Sequence, residues 1–91
     1  MTKLIWSYTK CRGKIFLKRN PFGWTVQYPA QDEDLERWES RAIRQELYRE
    51  EHFGHPGNPY ISARSFAKQK AEEMRDAFAI LEAKRDEEDA I

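Results

Sequence analysis

The stretch from Lys3 to Tyr28 constrains the fold most strongly, because it holds three short runs of alternating residues separated by two turn sequences. Alternation with a period of two indicates β-strands that each bury one face. The second turn, Asn20-Pro21-Phe22-Gly23, places asparagine, proline and glycine where a tight β-turn favours them. Two short connections predict a three-stranded antiparallel β-meander over residues 3–28.

A meander of three strands is marginally stable alone and needs a covering layer. Asp32 to Asp34 provide a helix N-cap and an acidic first turn, which predicts a helix over about residues 33–51. Glycines and prolines then interrupt the chain, which predicts a linker over residues 53–61. Ser62 is the predicted N-cap of a second helix over about residues 63–88, with an acidic tail expected to fray over residues 87–91.

These elements predict a single α+β domain over residues 1–91, with two α-helices covering one face of the β-meander. The sequence leaves open which face of the sheet is exposed, and whether the second helix packs on the sheet or projects from it. The predicted core collects large apolar residues that recur at strand or helix spacing. They are Leu4, Trp6, Ile15, Leu17, Trp24, Val26, Leu35, Trp38, Ile43, Met74, Phe78 and Leu81.

The charges are unevenly distributed along a chain whose formal net charge is zero. Residues 1–31 contain six lysines and arginines and no acidic residue, whereas residues 32–91 contain all 16 acidic residues. This asymmetry indicates either a basic binding surface on the sheet or an attraction between the two halves.

The residue types for catalysis and metal binding do not occur in a recognisable pattern. His52 and His55 are three residues apart with Cys11 distant, whereas a zinc site needs three or four ligands. The sequence contains neither a glycine-rich phosphate loop nor a nucleophile marked by a nearby base. We therefore expect a protein that is not an enzyme and that needs no cofactor or metal.

The sequence also bears on the compartment. Cys11 is the single cysteine, which excludes an intrachain disulfide and fits a reducing cytosol. An apolar run of about 18 residues, as a membrane span requires, is missing. A cytoplasmic location without membrane insertion is the expectation.

Two candidate binding surfaces follow from the pattern. Phe16 lies between Lys14 and Lys18 on the sheet face expected to be exposed, and Arg12 and Arg19 lie near its turns. Such a group suits either a protein hot spot with a basic rim or a base-stacking surface for nucleic acid. The second candidate contains Tyr48, Phe53 and Tyr60, which form a partner-binding patch if exposed together and cap the core if they fold back.

Three hypotheses for the function follow. The first is a protein-binding module, of the kind that inhibits or redirects a host protein complex as an adaptor. The second is nucleic-acid binding by the basic aromatic sheet face. The third is a structural homo-oligomer that pairs through the apolar seam of the second helix, whose residues are spaced by three and four.

A family motif is missing, but two resemblances exist. The order of three strands followed by a helix, together with the Gly-Trp-Thr-Val-Gln-Tyr strand, resembles the three-stranded DNA-binding arm of phage integrases. The long acidic helices depart from that pattern. The compact, charged and aromatic-rich composition resembles small phage accessory proteins that bind a host machine, which implies a protein partner.

Overall fold

The fold, in a computed structural model, is described for residues 3–8, 13–54 and 58–89, with the backbone alone for residues 3–8 and 89. The elements follow the order β1 (Lys3–Tyr8), β2 (Ile15–Asn20), β3 (Gly23–Pro29), α1 (Leu35–Arg44), β4 (Tyr48–Phe53) and α2 (Pro59–Asp89). The predicted α+β class is confirmed, since β1, β2 and β3 form an antiparallel meander that accompanies two helices. A fourth strand, β4, extends the sheet to the order β1-β2-β3-β4.

The turn between β2 and β3 is tightly held. Asn20 lies opposite Gly23, so Pro21 and Phe22 form a two-residue connection. Asn20 accepts a hydrogen bond at Oδ1 from the backbone N–H of Phe22, at 2.8 Å. Gly23 has a φ of +151°, a conformation that side chains other than hydrogen rarely allow.

Replacing Gly23 with alanine is expected to lower the free energy of unfolding by about 2–3 kcal/mol. A Cβ at this position would collide with the backbone at the end of β4, including the Cα of Gly54 at 2.9 Å. Urea denaturation followed by circular dichroism measures the loss. The neighbouring Phe22→Ala variant is the control and should stay within about 0.5 kcal/mol of the unaltered protein. Unchanged stability of G23A would contradict this close approach of β4.

The start of α1 is fixed by two aspartates. Asp34 is the N-cap and accepts hydrogen bonds from the backbone N–H groups of Glu36 and Arg37. Asp32 accepts from the backbone N–H of Asp34 and pairs with Arg41 at 2.9 Å. The hydrogen bond from Asp34, with a smaller contribution from the nearby arginines, lowers the pKa of the Asp32 carboxyl. The helix begins at Leu35, two residues later than predicted.

The predicted extension of α1 to residue 51 is wrong. The helix ends at Arg44, and Gln45 and Leu47 adopt positive φ values of 58° and 54°, which reverse the chain. Residues 48–53 then pair antiparallel with β3. The backbone groups at the open edge of β3 therefore gain partners, which a longer α1 would have left to solvent.

The start of α2 also differs from the prediction. Asn58 rather than Ser62 caps the helix, since its Oδ1 accepts from the N–H of Ile61 and its carbonyl accepts from the N–H of Ser62, both at 3.3 Å. Pro59 occupies the first helical position, which requires no backbone donor. The helix continues to Asp89, so the fraying expected over residues 87–91 stays a prediction.

The second helix packs along the sheet and α1, which answers a question that the sequence left open. Its buried stripe consists of small residues in the first half, Ala63, Ala67 and Ala71, and of large ones in the second half, Met74, Phe78 and Leu81. The alanine half lies over the sheet, where Tyr60 contacts Trp24 at a ring-centroid distance of 4.8 Å. The larger half meets α1. The seam proposed for self-association is thus buried within this chain.

Most predicted core residues lie in the core. Ile15, Leu17, Val26, Trp38, Met74, Phe78 and Leu81 are buried, while Trp24 and Leu35 are partly buried. The side chains of Leu4 and Trp6 lie outside the described residues. Ile43 is a wrong prediction, because 54% of it is exposed. Its neighbour Ala42 points into the core, and successive helix positions are rotated by about 100°.

An ion pair joins the C-terminal part of α2 to α1. Glu39 is 5% exposed and accepts a hydrogen bond from Arg85 at 2.9 Å. This bond, together with the charge of Glu39, raises the pKa of the Arg85 guanidinium. The contact fixes the end of α2 against α1.

Charges are segregated along α2. Residues 59–71 contain three basic and no acidic residues, whereas residues 72–89 contain eight acidic and three basic residues. The first turn of α2 contains no acidic residue, and its last turn contains no basic residue. These charges add to the helix macrodipole instead of opposing it, so packing of the buried stripe must offset the cost.

Candidate functional site

The sheet face that carries Lys18 and His52, opposite the face that buries Leu17 and Val26, is here called the outer face. Strand alternation places nine side chains of β2, β3 and β4 on it. In the register, Lys18 lies opposite Thr25, which lies opposite His52, and Phe16, Gln27 and Glu50 form the next row. Asn20 lies at one end of the face, and the pair of Pro29 and Tyr48 lies at the other.

The outer face contains a concave site of about 450 Å³ near the β2–β3 turn. Its lining combines the aromatic ring of Phe22 with a floor of polar side chains. The lining residues are Lys18, Asn20, Phe22, Thr25, Gln27, Glu50, His52, Phe53 and Gly54. A volume of this size falls within the range of small-molecule and peptide-side-chain pockets, about 300–1,000 Å³.

Phe22 forms the rim of this concave site and is 88% exposed. The turn that carries it is braced on both sides, because Asn20 accepts from the Phe22 N–H and donates from Nδ2 to Thr25 Oγ1 at 2.6 Å. At the tip of this two-residue turn, the Phe22 ring lies beside the outer face and does not join the core. Phe22 is therefore a large apolar group presented to solvent on a preorganised turn.

A chain of hydrogen bonds forms the floor. Thr25 is 5% exposed, accepts from Asn20 and lies 2.9 Å from Nδ1 of His52, to which its hydroxyl can donate. The other ring nitrogen of His52, Nε2, lies 3.7 Å from Oε2 of Glu50, beyond hydrogen-bond distance. Glu50 accepts from Nε2 of Gln27 at 2.6 Å. The floor is thus fixed across β2, β3 and β4.

The Phe16 ring is flanked by its neighbours. Lys18 Nζ lies 5.9 Å from its centroid, and the Tyr48 ring lies 6.1 Å away. The Tyr48 hydroxyl is within hydrogen-bond distance of the carbonyl oxygens of Lys14 and Ala42, which holds its ring in place. Phe16 is consequently half-buried, and its environment is less open to base stacking than that of Phe22.

The structure brings together some of the predicted site residues. Phe16, Lys18 and Tyr48 share the outer face, and Lys14 is exposed just before β2. Arg19 is exposed but alternates to the other face of β2. Arg12 lies outside the described residues.

The predicted patch of Tyr48, Phe53 and Tyr60 is not formed as one surface. The Phe53 ring packs against Phe66 at a centroid distance of 5.5 Å on the helical side, and Tyr60 packs against Trp24 there. Both are partly buried against the core. The alternative in which these rings cap the core therefore describes Phe53 and Tyr60, whereas Tyr48 belongs to the outer face.

Sequence reasoning did not identify Phe22, Glu50 or His52 as parts of this surface. The signal for Phe22 was available, since an aromatic residue within a two-residue hairpin turn has no core to enter. Glu50 and His52 had no such signal, because the predicted helix covered residues 33–51 and ended just before His52.

Comparisons with protein-family models, with curated proteins and with solved structures found no match to this chain. In the described residues, no helix combines the length and apolar character that crossing a membrane requires. The described residues also contain no group of three or more histidine, cysteine or acidic side chains that could hold a metal ion.

Proposed function

We propose that this chain is a small protein-binding module without enzymatic activity, which binds its partner through the outer face with Phe22 as the anchor. The observation that carries the proposal is the 88% exposure of Phe22 beside a concave site of about 450 Å³. Burying an exposed phenylalanine contributes about 1.5–3 kcal/mol. Aromatic anchors next to pockets are typical of hot spots in protein interfaces.

The size of the outer face limits the kind of partner contact. Four strands spaced about 4.8 Å apart and about 20 Å long give a face of roughly 400 Å². A standard interface buries about 800 Å² per partner. The face therefore suits a segment or a protruding element of the partner, as an adaptor or inhibitor would recognise. That the partner belongs to a host complex stays a prediction.

Nucleic acid is the second candidate. Exposed Lys14, together with Lys18, favours it, since cations neutralise phosphates. Glu50 opposes it, because its carboxylate lies on the same face as Lys18. Phe16, the ring expected to stack on a base, is flanked by Lys18 and Tyr48. A protein partner is favoured for these two reasons.

Photo-crosslinking tests the proposal. Benzoylphenylalanine at position 22 is expected to capture a defined protein from a lysate of the source organism, and the capture should survive nuclease. The same probe at position 80, where Ile80 is 61% exposed on α2, is the control and should capture nothing specific. Excess unaltered protein should compete for the captured partner.

The Phe22→Ala variant supplies the quantitative prediction. It should weaken binding of the captured partner by about 2 kcal/mol, or roughly 30-fold, because it removes the anchor. Its free energy of unfolding should be unchanged. Titration calorimetry measures the affinity. Equal capture from positions 22 and 80, or capture abolished by nuclease, would contradict the proposal.

A further inference from the structure

We infer that the concave site selects an acidic segment of the protein partner, with a carboxylate placed against Lys18 and an apolar side chain against Phe22. The inference rests on the proposed function and adds the chemistry of the partner. Lys18 is then the residue that determines specificity, and Phe22 supplies affinity.

The charges that line the site point to a carboxylate. Lys18 Nζ contacts the Phe16 ring and has no carboxylate within ion-pair distance in the described residues. Glu50, in contrast, already accepts from Gln27 and lies beside His52. Of the lysine and the carboxylate that line the site, Lys18 is therefore the one whose charged group has no hydrogen-bond or ion-pair partner in the described residues.

The surroundings of the site add to the same preference. The half of α2 that contains three basic and no acidic residues begins near the β2–β3 turn, where Tyr60 packs on Trp24. Clusters of one charge sign attract ligands of the opposite sign and orient them before contact.

A single carboxylate fits better than a chain of phosphates. Lys18 and Glu50 lie two strands apart and one row apart along the strands, at a backbone separation of about 12 Å. A nucleic-acid backbone that reached Lys18 would bring further negative charges toward Glu50. A partner carboxylate brings one charge, which Lys18 neutralises.

Three probes with the same ring and chain length test this choice. They are 3-phenylpropanoate, 3-phenylpropan-1-ol and 3-phenylpropan-1-amine, which differ in charge. Each is titrated into the full chain labelled with nitrogen-15, and the backbone amide shifts of Lys18, Phe22, Thr25 and His52 are followed by NMR. The carboxylate should bind with a roughly millimolar Kd, about three- to fivefold tighter than the alcohol, and the amine should bind most weakly.

Two matched lysine variants test whether Lys18 causes the preference for the carboxylate probe. Lys18→Gln should make the carboxylate and the alcohol bind equally, while their shifts remain at the site. Lys84→Gln, a change of an exposed lysine on α2, should preserve the preference. Equal binding of all three probes to the unaltered chain, or tightest binding of the amine, would overturn the inference.

Two further outcomes separate the inference from the proposed function. Capture of a protein at position 22 without any preference among the probes would overturn the inference alone. A carboxylate preference without protein capture would support the site chemistry and refute the protein partner. Sedimentation that shows a dimer dissociated by Lys18→Gln would assign the carboxylate to a second copy of this chain, which would overturn the inference.

Discussion

Replacing Trp38 with alanine is expected to lower the free energy of unfolding by about 3–5 kcal/mol. Trp38 is 5% exposed and meets Phe78 edge to face at 5.4 Å, which makes it the main aromatic contact between α1 and α2. Its loss would leave a cavity between the two helices. A domain of this size has a total stability of about 5–14 kcal/mol, so the variant should be marginally folded. Urea denaturation followed by circular dichroism measures the change.

Trp38→Phe is the matched variant for this prediction. It keeps the ring contact with Phe78 and removes an indole N–H that is buried without an acceptor in the described residues. Its cost should be about 1 kcal/mol or less, since the smaller ring loses contacts but an unsatisfied donor disappears. Equal losses for W38A and W38F would show that the ring contact with Phe78 contributes little.

Replacing Ala67 with leucine is expected to destabilise the protein by about 3 kcal/mol, the upper end of the range for overpacking. Ala67 is fully buried in the part of α2 that lies over the sheet. Three added carbon atoms must push α2 away from β2 and β3, because fully buried Leu17 and Val26 leave no space. The melting temperature should fall by roughly 10–20 °C.

Ala79→Leu controls for the change in helix propensity. Ala79 is exposed on the same helix, and leucine is nearly as good a helix former as alanine. Its effect should stay within about 0.5 kcal/mol. Similar stabilities for A67L and A79L would mean that the alanine stripe does not set the distance between helix and sheet.

The alternating pattern of residues 3–28 was the sequence signal that predicted most of the fold. Alternation identified Ile15, Leu17 and Val26 as one buried face, and their burial confirms this assignment. The pattern works for β2 and β3 because the turn between them is local and because Ile15, Leu17 and Val26 are buried on one face. The same logic placed Phe16 and Lys18 on the outer face.

The fourth strand could not be predicted from the same signals. Residues 48–53 are an edge strand whose side chains are mostly exposed and charged, so no apolar alternation marks it. Glu46 and Arg49, three residues apart and of opposite charge, favour a helix locally. Pairing with β3 overrides this preference, and the reversal at Gln45 and Leu47 uses left-handed residues without glycine. Because β4 was not predicted, the floor of the site, which includes Glu50 and His52, could not be predicted either.

The segregated charges of α2 have a kinetic consequence. The molecule is 55 Å long and 21 Å wide, and its helix has cations near the β2–β3 turn and carboxylates at the other end. Because these charges add to the macrodipole, the protein is an electric dipole aligned with its long axis. An acidic partner would rotate it during approach so that the turn with Phe22 leads. Orientation before collision increases the association rate at low ionic strength, and it does so without any added contact.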